Sequence, residues 1–432
     1  MNSKMTIRLR RRTQAGWLLH LLLILSLFHS FCCEVLGLPE MIRYIIDVAW
    51  VILLVLIIKR SKNKAKIGLL PLWVLLFFVY TVLDYLPQYQ SGLYYLWGMR
   101  NVFRTFVAFF SFVIFMSPED VEEWWKLFNI LFWVNFVLTL YQNLFLGLKG
   151  DHLGGIFSTV AGGNGYTNIF NVVMLTKECV LYLDKKEKIW PCASKCLAAL
   201  VIAAMAEMKF FFIEFAIVLV LASLCTRFTW RKLWIIVGGF AALALGMTVL
   251  AVVFPDSAAN FTIRWLLEEA SADKGYTSAG DLNRLNAIPR INELWLNSAW
   301  KRLFGLGLGN CETSGFAIVN TPFYEAYGDM HYSWLSYAFL YLETGWIGLL
   351  FYYGFFVLVC FGLYRIEKHS SGIIQTYCRM GRILAIMCMI ISVYNSSLRT
   401  EAAYMMFFAL SVPFVMSKEK KERIACVEEI TA

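Results

Sequence analysis

Long apolar stretches alternate with short polar or charged segments along almost the whole chain. A helix needs about 20 apolar residues to cross the hydrocarbon core of a bilayer. The pattern predicts about twelve membrane-spanning helices, over residues 16–33, 41–58, 67–86, 99–116, 127–146, 169–183, 189–205, 210–225, 233–253, 334–358, 383–393 and 402–416. We therefore predict an all-α polytopic membrane protein.

One long polar stretch, residues 254–333, separates predicted spans 9 and 10. Within it, apolar residues between 282 and 304 recur at helical spacing, and Pro289 predicts either a kink or two helices. The GLGLGN segment at 305–310 should end any helix there. The predicted organisation is spans 1–9 in residues 1–253, a large loop in 254–333, spans 10–12 in 334–416, and a basic tail in 417–432.

The distribution of charge gives the predicted orientation. The 432 residues are 59% hydrophobic and 16% charged, with a formal net charge of +9. Lys and Arg concentrate in short segments between apolar stretches, as the positive-inside rule expects, so nucleic-acid binding is not indicated. Both termini are then cytoplasmic and the 254–333 loop is external. The acidic segment 117–126 is interpreted as a cytoplasmic loop, and the apolar N-terminal stretch as an uncleaved first span.

The usual motifs of metal and nucleotide sites are missing from the sequence. Cys192 and Cys196 have a metal-like spacing, but no histidine or second pair accompanies them, and we interpret them as small buried apolar residues. No Walker A loop, dinucleotide fingerprint or HExxH motif occurs. The sequence therefore predicts no metal and no cofactor.

Basic residues on the predicted external side are not explained by topology. Arg100 and Arg104 lie one helical turn apart at the outer end of span 4. The full set of six is Arg100, Arg104, Lys209, Arg284, Arg290 and Arg399. Ionisable groups at membrane depth mark either function or ion pairs, and arginine binds phosphate oxygens in pairs. The set predicts a site for a lipid-linked diphosphate; ion pairs of Lys209 with Glu207 or Glu214, and of Arg399 with Glu401, are the alternative.

Histidines supply a candidate base. His331 follows Asp329 where the long loop meets span 10, and its ordinary pKa of about 6.5 suits proton transfer. A purely structural histidine is the alternative. His152 is a second candidate, whereas His20 and His29 lie in span 1 and are interpreted as packing residues. Glu214 and Asp329 are further candidates for the site.

Five segments together resemble the bacterial O-antigen polymerase and O-antigen ligase families. They are an Arg-containing helix leading into FGLGLGN, a histidine before a span, ETGWIGLL within that span, GGIFSTVAGGNGYTN, and AEMKFFFIEF. The similar regions cover residues 150–215 and 283–356. The chain departs from the ligase pattern at Tyr332, where ligases usually have a small polar residue, and in a longer spacing from His331 to residues 343–345.

The resemblance implies a GT-C-like architecture and an inverting, metal-independent glycosyltransferase of the bacterial cytoplasmic membrane. Such an enzyme polymerises lipid-linked oligosaccharide repeats by transfer from a polyprenyl diphosphate to a sugar hydroxyl. By analogy Arg290 or Arg284 would hold the diphosphate, and His331 would lie near the reacting hydroxyl. Partners would include the bilayer, a chain-length regulator and a flippase. Two alternatives remain: a ligase that transfers glycan to a lipid or protein, and a flippase for the lipid-linked oligosaccharide, although the two related halves typical of transporters are not visible.

Overall fold

The computed structural model describes residues 13–34, 36–61, 68–226, 229–253, 282–314 and 317–431. Helices are the regular elements of these ranges, and no strand occurs in them. In chain order they are α1 (Gln14–Glu34), α2 (Arg43–Ser61), α3 (Leu69–Tyr85), α4 (Gly92–Phe115), α5 (Pro118–Leu144), α6 (Gly163–Leu183), α7 (Ile189–Met205), α8 (Lys209–Cys225), α9 (Trp230–Val253), α10 (Ala287–Leu294), α11 (Ala299–Phe304), α12 (Pro322–Tyr327), α13 (Ser336–Lys368), α14 (Ile373–Tyr394) and α15 (Ala403–Thr431).

Seven helical segments are long and apolar enough to cross a membrane, judged by length and composition. They are Gln14–Glu34, Leu69–Gln88, Gly92–Phe115, Pro118–Leu144, Trp230–Thr248, Ser336–Lys368 and Ile373–Tyr394. Ile189–Met205 and Ala403–Lys418 are shorter apolar helices. The chain therefore has the make-up of a polytopic membrane protein. Each of the twelve predicted spans coincides with a helix, but twelve crossings stays a prediction.

Two predicted boundaries were wrong, because charged segments assigned to loops are helical. The acidic segment 117–126 forms the start of α5, which begins at Pro118. Ser117 and Asp120 form a capping box: the Ser117 side chain accepts from the Asp120 amide, and the Asp120 carboxylate accepts from the Ser117 amide. Proline at the first helical position also favours this start.

The basic segment 365–382 is likewise mostly helix. α13 continues to Lys368 and α14 already begins at Ile373, so only four residues separate them. Arg379 on α14 pairs with Asp184 after α6 and with Glu367 on α13. These pairings let the charged turns stay helical while they pack against neighbouring helices.

The core is built around helices that are buried on nearly all sides. In α6, every residue from Thr167 to Leu183 is buried, and in α15 the same holds from Ala403 to Pro413. α14 packs against α6, α8, α13 and α15, while α4 packs against α15. α1, α2, α3 and α9 instead keep many exposed apolar side chains. Such exposed apolar faces suit contact with lipid.

The second part of the long loop folds onto the start of α13. Two helices, α10 and α11, do form, but Pro289 does not separate them: it lies in the first turn of α10, where proline is tolerated, and the break falls at residues 295–298. α11 ends at Gly305, where φ is 80°, and α13 is interrupted at Gly345, where φ is 61° and ψ is −163°. The interruption frees carbonyls of α13, and the Leu306 and Gly307 amides bond to the Leu342 and Glu343 carbonyls, each at 2.9 Å. A Cβ atom at either glycine would collide with backbone atoms of the other segment.

Some sequence predictions fall outside the described residues. They are the basic N-terminal cluster before residue 13, most of the basic segment 59–66, and the first part of the long loop, residues 254–281. For the loop, the structure therefore describes only residues 282–314 and 317–333.

Candidate functional site

One end of the helix bundle carries cavities lined by polar residues. We call it the cavity end; it holds the N-terminal ends of α4, α6 and α8 and the C-terminal end of α14. The loop 395–402, between α14 and α15, runs between two of these cavities. Asn395 lines one cavity, and Arg399, Thr400 and Glu401 line the other.

The first cavity brings together two of the six predicted cations and is called the Lys–Arg cavity. Its volume is about 180 Å³, and Lys209 and Arg284 both line it. Asp151, Asn168 and Glu207 contribute further polar groups. Two residues far apart in sequence therefore meet in one cavity, whereas the sequence analysis expected all six cations to share one site.

Two helices begin at the Lys–Arg cavity. Asn164 and Gly165 belong to the first turn of α6, and Lys209 is the first residue of α8. Neither N-terminus is closed by a side-chain cap. Helix N-termini carry partial positive charge and favour anions. In these two helices, the amides of Gly163, Gly165, Lys209 and Phe211 bond to backbone carbonyls. The helix ends therefore add partial positive charge to a cavity that Lys209 and Arg284 line together with the carboxylates of Asp151 and Glu207.

Aromatic stacking fixes Arg284 in place. The Arg284 Nε atom donates to the Tyr394 carbonyl at 2.9 Å, and the guanidinium lies 4.3 Å from the centre of the Tyr394 ring. Tyr394 stacks in turn on Phe210, with ring centres 3.8 Å apart and planes 5° apart. Arg284 is thus attached to the end of α14 and, through Tyr394, to the start of α8.

Two of the secondary candidates, His152 and Glu214, lie near this cavity, together with Asp151, which the sequence analysis did not predict. Asp151 lines it and accepts from Asn164 Nδ2 at 2.7 Å. His152 is exposed, with Nδ1 3.2 Å from the Thr159 carbonyl. Glu214 is fully buried beside Asn168, and neither of its carboxylate oxygens has hydrogen-bond geometry with a described residue. Only Asp151 of these three faces the cavity itself.

The second cavity holds three more of the predicted cations and is called the arginine cavity. Its volume is about 210 Å³, and its lining includes Arg100, Arg104 and Arg399. Each arginine has a carboxylate partner: Arg100 binds Asp47 at 2.8 and 2.9 Å, Arg104 binds Glu401 at 2.8 Å, and Arg399 binds Glu312. Arg399 also lies 3.7 Å above the Phe339 ring.

Glu401 is the centre of the arginine cavity. It accepts hydrogen bonds from Arg104 Nη1 and from the Tyr166 hydroxyl, each at 2.8 Å. Burial would raise the pKa of Glu401, but the positive charge of Arg104 outweighs burial and holds that pKa well below its ordinary value. The carboxylate is therefore charged at neutral pH, and it joins α4, α6 and the loop 395–402.

Charge pairing distinguishes the arginine cavity from the expected cluster of cations. Three arginines face three carboxylates, so the group is close to neutral. The alternative pairing predicted for Arg399, with Glu401, is replaced by Glu312, and Glu401 pairs with Arg104 instead. This cavity is better described as a network that anchors the loop 395–402 than as an open anion site.

The remaining predicted site residues lie elsewhere. Arg290, on α10, is half-exposed and pairs with the exposed Glu293 at 2.6 Å. His331 adopts a left-handed conformation, φ 52°, and stacks on Trp334 with ring centres 3.9 Å apart. His331 and the exposed Asp329 line neither of the two cavities. Neither Arg290 nor His331 therefore lines the cavity that contains Lys209 and Arg284.

Two clusters in the described residues combine side chains that bind metals. The sulfurs of Cys179, Cys192 and Cys196 lie within 4.8 Å of one another, buried between α6 and α7. His20, Asp120 and Glu123 form the other cluster. Each offers three ligand atoms, one fewer than a closed tetrahedral zinc site. The burial of Cys192 and Cys196 agrees with their interpretation as apolar packing, and metal independence stays a prediction.

Sequence reasoning missed the partners of the arginines. Asp47, Glu312 and Tyr166 were not predicted, although each bonds a residue of the arginine cavity or that residue's partner. Arg399 and Glu312 are separated by 87 positions in the chain. A carboxylate close to a glycine-rich turn, as in GLGLGN followed by Cys311 and Glu312, was the available signal.

Comparison with protein-family models and with curated proteins finds no match to this chain.

Proposed function

We propose that this protein polymerises lipid-linked oligosaccharide repeats by glycosyl transfer from a polyprenyl diphosphate. The observation that carries the proposal is the Lys–Arg cavity, where Lys209, Arg284 and the N-termini of α6 and α8 meet. The resemblance of residues 150–215 and 283–356 to O-antigen polymerases supports the same assignment. Both helix starts fall within the first of these regions.

The cavity suits a diphosphate for an electrostatic reason. Charge builds up on the diphosphate as its bond to the sugar breaks, and fixed cations and helix amides stabilise that charge where water is restricted. Lys209 supplies an ammonium group, while stacking holds the Arg284 guanidinium in one orientation. Asn168 and Asn395 line the same wall and add amide donors. The carboxylates of Asp151 and Glu207 also line this cavity, where either can act as a proton acceptor.

The proposed reaction is a single displacement. The oxygen of an acceptor sugar hydroxyl bonds to the anomeric carbon of the donor, and the bond from that carbon to the diphosphate oxygen breaks. The diphosphate keeps the electron pair, and the hydroxyl proton passes to a carboxylate of the cavity wall, Asp151 or Glu207. Inversion at the anomeric carbon follows from one displacement. His331 remains a candidate base from the resemblance, but it lies outside this wall.

The cellular setting belongs to the same proposal. Twelve crossings, cytoplasmic termini and an external cavity end follow from the positive-inside rule. In that orientation the cavity end meets the outer leaflet of the bacterial cytoplasmic membrane, where a flipped lipid-linked repeat would present its diphosphate. A chain-length regulator and a flippase are the expected partners.

Binding of undecaprenyl diphosphate, without sugar, tests the site directly. The purified protein in lipid nanodiscs should bind this lipid, and Lys209→Ala should weaken binding about 10- to 100-fold, as expected for a lost charge-assisted hydrogen bond. Lys126→Ala is the matched control, because it removes an exposed cation from α5, outside both cavity linings. Equal binding by wild type and Lys209→Ala would refute the cavity assignment.

The surface glycan of a deletion strain separates the three functions. Loss of a polymerase leaves single repeats on the finished surface glycan, loss of a ligase leaves polymer on the carrier lipid, and loss of a flippase traps repeats in the cytosol. We expect single repeats. Either of the other two outcomes would replace the polymerase by the corresponding alternative.

A further inference from the structure

A third cavity at the cavity end is larger than the two described above and has a different lining. Its volume is about 510 Å³, within the usual range for small-molecule sites. Four amide side chains line it, those of Gln88, Gln90, Asn297 and Asn310. We call it the amide–aromatic cavity. No carboxylate lines it, and Lys301 is its one charged lining residue.

Aromatic rings form another part of the lining. Trp295 packs against Phe323 and Tyr327, with ring centres 5.1 and 5.3 Å apart. All three residues line the cavity, and Tyr327 remains 40% exposed. Ring faces carry partial negative charge, so they attract the weakly positive C–H groups on the apolar face of a sugar ring. Amides can both donate and accept hydrogen bonds, as sugar hydroxyls can.

Asn310 provides an independent indication of a ligand. Its side chain is 1% exposed, and Nδ2 donates to the Gln88 carbonyl at 2.9 Å and to the Leu306 carbonyl at 2.7 Å. These two bonds fix the amide so that Oδ1 acts as the acceptor. Oδ1 has no hydrogen-bond partner among the described residues. A buried acceptor left without a donor is costly, so a small shift of the cavity wall that let a ligand hydroxyl reach Oδ1 would be favourable.

The position of the cavity connects it to the proposed reaction. Asn310 and Cys311 line the amide–aromatic cavity, and the next residue, Glu312, holds Arg399 in the arginine cavity. The loop 395–402 then leads to the Lys–Arg cavity. A glycan attached to a diphosphate in the Lys–Arg cavity would be held at a separate point of the same surface.

We infer that the amide–aromatic cavity binds the oligosaccharide part of the lipid-linked substrate. This inference rests on the proposed function and adds a glycan-binding site to it. With Lys301 as its one charged lining residue, this cavity favours hydroxyl-rich sugar rings over the diphosphate. The side chains of Gln88, Gln90, Asn297, Phe323 and Tyr327 would then determine which glycan is accepted.

The test uses the oligosaccharide released from its lipid by mild acid, which carries no diphosphate. Saturation-transfer NMR on the protein in nanodiscs should show contact with its sugar protons. Tyr327→Ala and Asn297→Ala should weaken binding about tenfold, equivalent to about 1.4 kcal/mol. Both residues are exposed, so neither change removes a core side chain. Trp300→Ala is the control, because Trp300 is an exposed aromatic on α11 outside this lining.

Parallel titration with undecaprenyl diphosphate separates this inference from the proposed function. We expect Tyr327→Ala and Asn297→Ala to bind that lipid as the wild type does. Absence of saturation transfer from the wild-type protein to the sugar, or wild-type oligosaccharide affinity in both variants, overturns the glycan site while leaving the diphosphate site intact. If the lipid fails to bind and the oligosaccharide still does, the proposed function fails instead.

Discussion

The two ends of the helix bundle contain similar charged residues in different arrangements. At the opposite end, Arg379 joins Asp184 and Glu367, and Glu178 accepts from Lys177 and Lys195 at 2.8 and 2.6 Å. The bonds of Lys195 and Arg379 link different helical segments, whereas Lys177 and Glu178 are neighbours on α6. At the cavity end, the arginine network borders open volume, and the adjoining Lys–Arg cavity receives two helix N-termini.

The comparison shows that buried cations alone do not identify a functional site. Both ends pair their arginines with carboxylates, and such pairs stabilise helix contacts wherever they occur. What distinguishes the cavity end is space together with positive potential from helix ends. Variants at the opposite end should therefore lower stability, and variants at the cavity end should lower activity.

The largest effect on stability is expected at the opposite end. Arg379→Ala leaves Asp184 and Glu367 in a largely buried setting without this cation, and should lower the free energy of unfolding by about 3–5 kcal/mol. Thermal unfolding in detergent measures the loss. Polymer made per folded molecule should stay at the wild-type level. A large drop in that specific activity would contradict the division between the two ends.

A comparable effect on activity, without loss of stability, is expected at the cavity end. Arg284→Ala should reduce polymer formation about 10²- to 10³-fold, as removal of one transition-state donor does. Arg290→Ala is the matched comparison, since Arg290 is also on the long loop but is half-exposed and paired with Glu293. The measurement is polymer length and amount at equal membrane protein. Loss of polymer only in Arg290→Ala would move the diphosphate site to α10.

A smaller effect is expected where the long loop meets α13. Gly345→Ala puts a Cβ atom against the backbone at Leu303 and forces a left-handed conformation, which costs on the order of 1–3 kcal/mol. Thermal unfolding should register this loss. Gly238→Ala provides the control, because it lies within α9 with open space around it. Equal stability of the two variants would show that the junction is not needed.

The smallest effect is a pH dependence at the opposite end. Burial, with the hydrogen bond and negative charge of Glu178, raises the pKa of Glu187 to about 7. An acid whose pKa is raised on folding loses stability as pH rises from its unfolded pKa, about 4.3, to its folded pKa. Glu187→Gln should therefore gain stability over the wild type between pH 4.3 and 7, by about 1 kcal/mol after solvent screening.

Thermal unfolding across this pH range measures the gain. Glu122→Gln controls for the loss of one carboxylate, because Glu122 is exposed on α5. A Glu187→Gln gain that does not change with pH would rule out titration as its source.

The helices were predictable because hydrophobic burial in lipid or protein imposes long apolar stretches. The ends of the helices were less predictable. The Ser117–Asp120 capping box is visible in the sequence, but the acidic segment 117–126 that contains it was interpreted as a loop. The start of α14 could not be inferred, because Arg379 is tolerated there only through Asp184 and Glu367, which come from other helices.

The candidate site was predictable in its residue types but not in their grouping. Lys209 and Arg284 do share a cavity, whereas Arg100, Arg104 and Arg399 share another with three carboxylates. Which cations are neutralised depends on contacts such as Arg399 with Glu312, between distant segments of the chain. The role of Asn310 could not be predicted for the same reason, because its orientation is fixed by the carbonyls of residues 88 and 306.

The contact between residues 305–307 and α13, which is interrupted at Gly345, affects how the sequence of this protein can change. Leu306 and Gly307 bond to α13 through backbone amides, which every amino acid except proline possesses, and through carbonyls of α13. Gly305, Gly307 and Gly345 are constrained there by their positive φ angles. Distant versions of the chain can therefore exchange most surrounding side chains while this backbone contact keeps the long loop attached to α13.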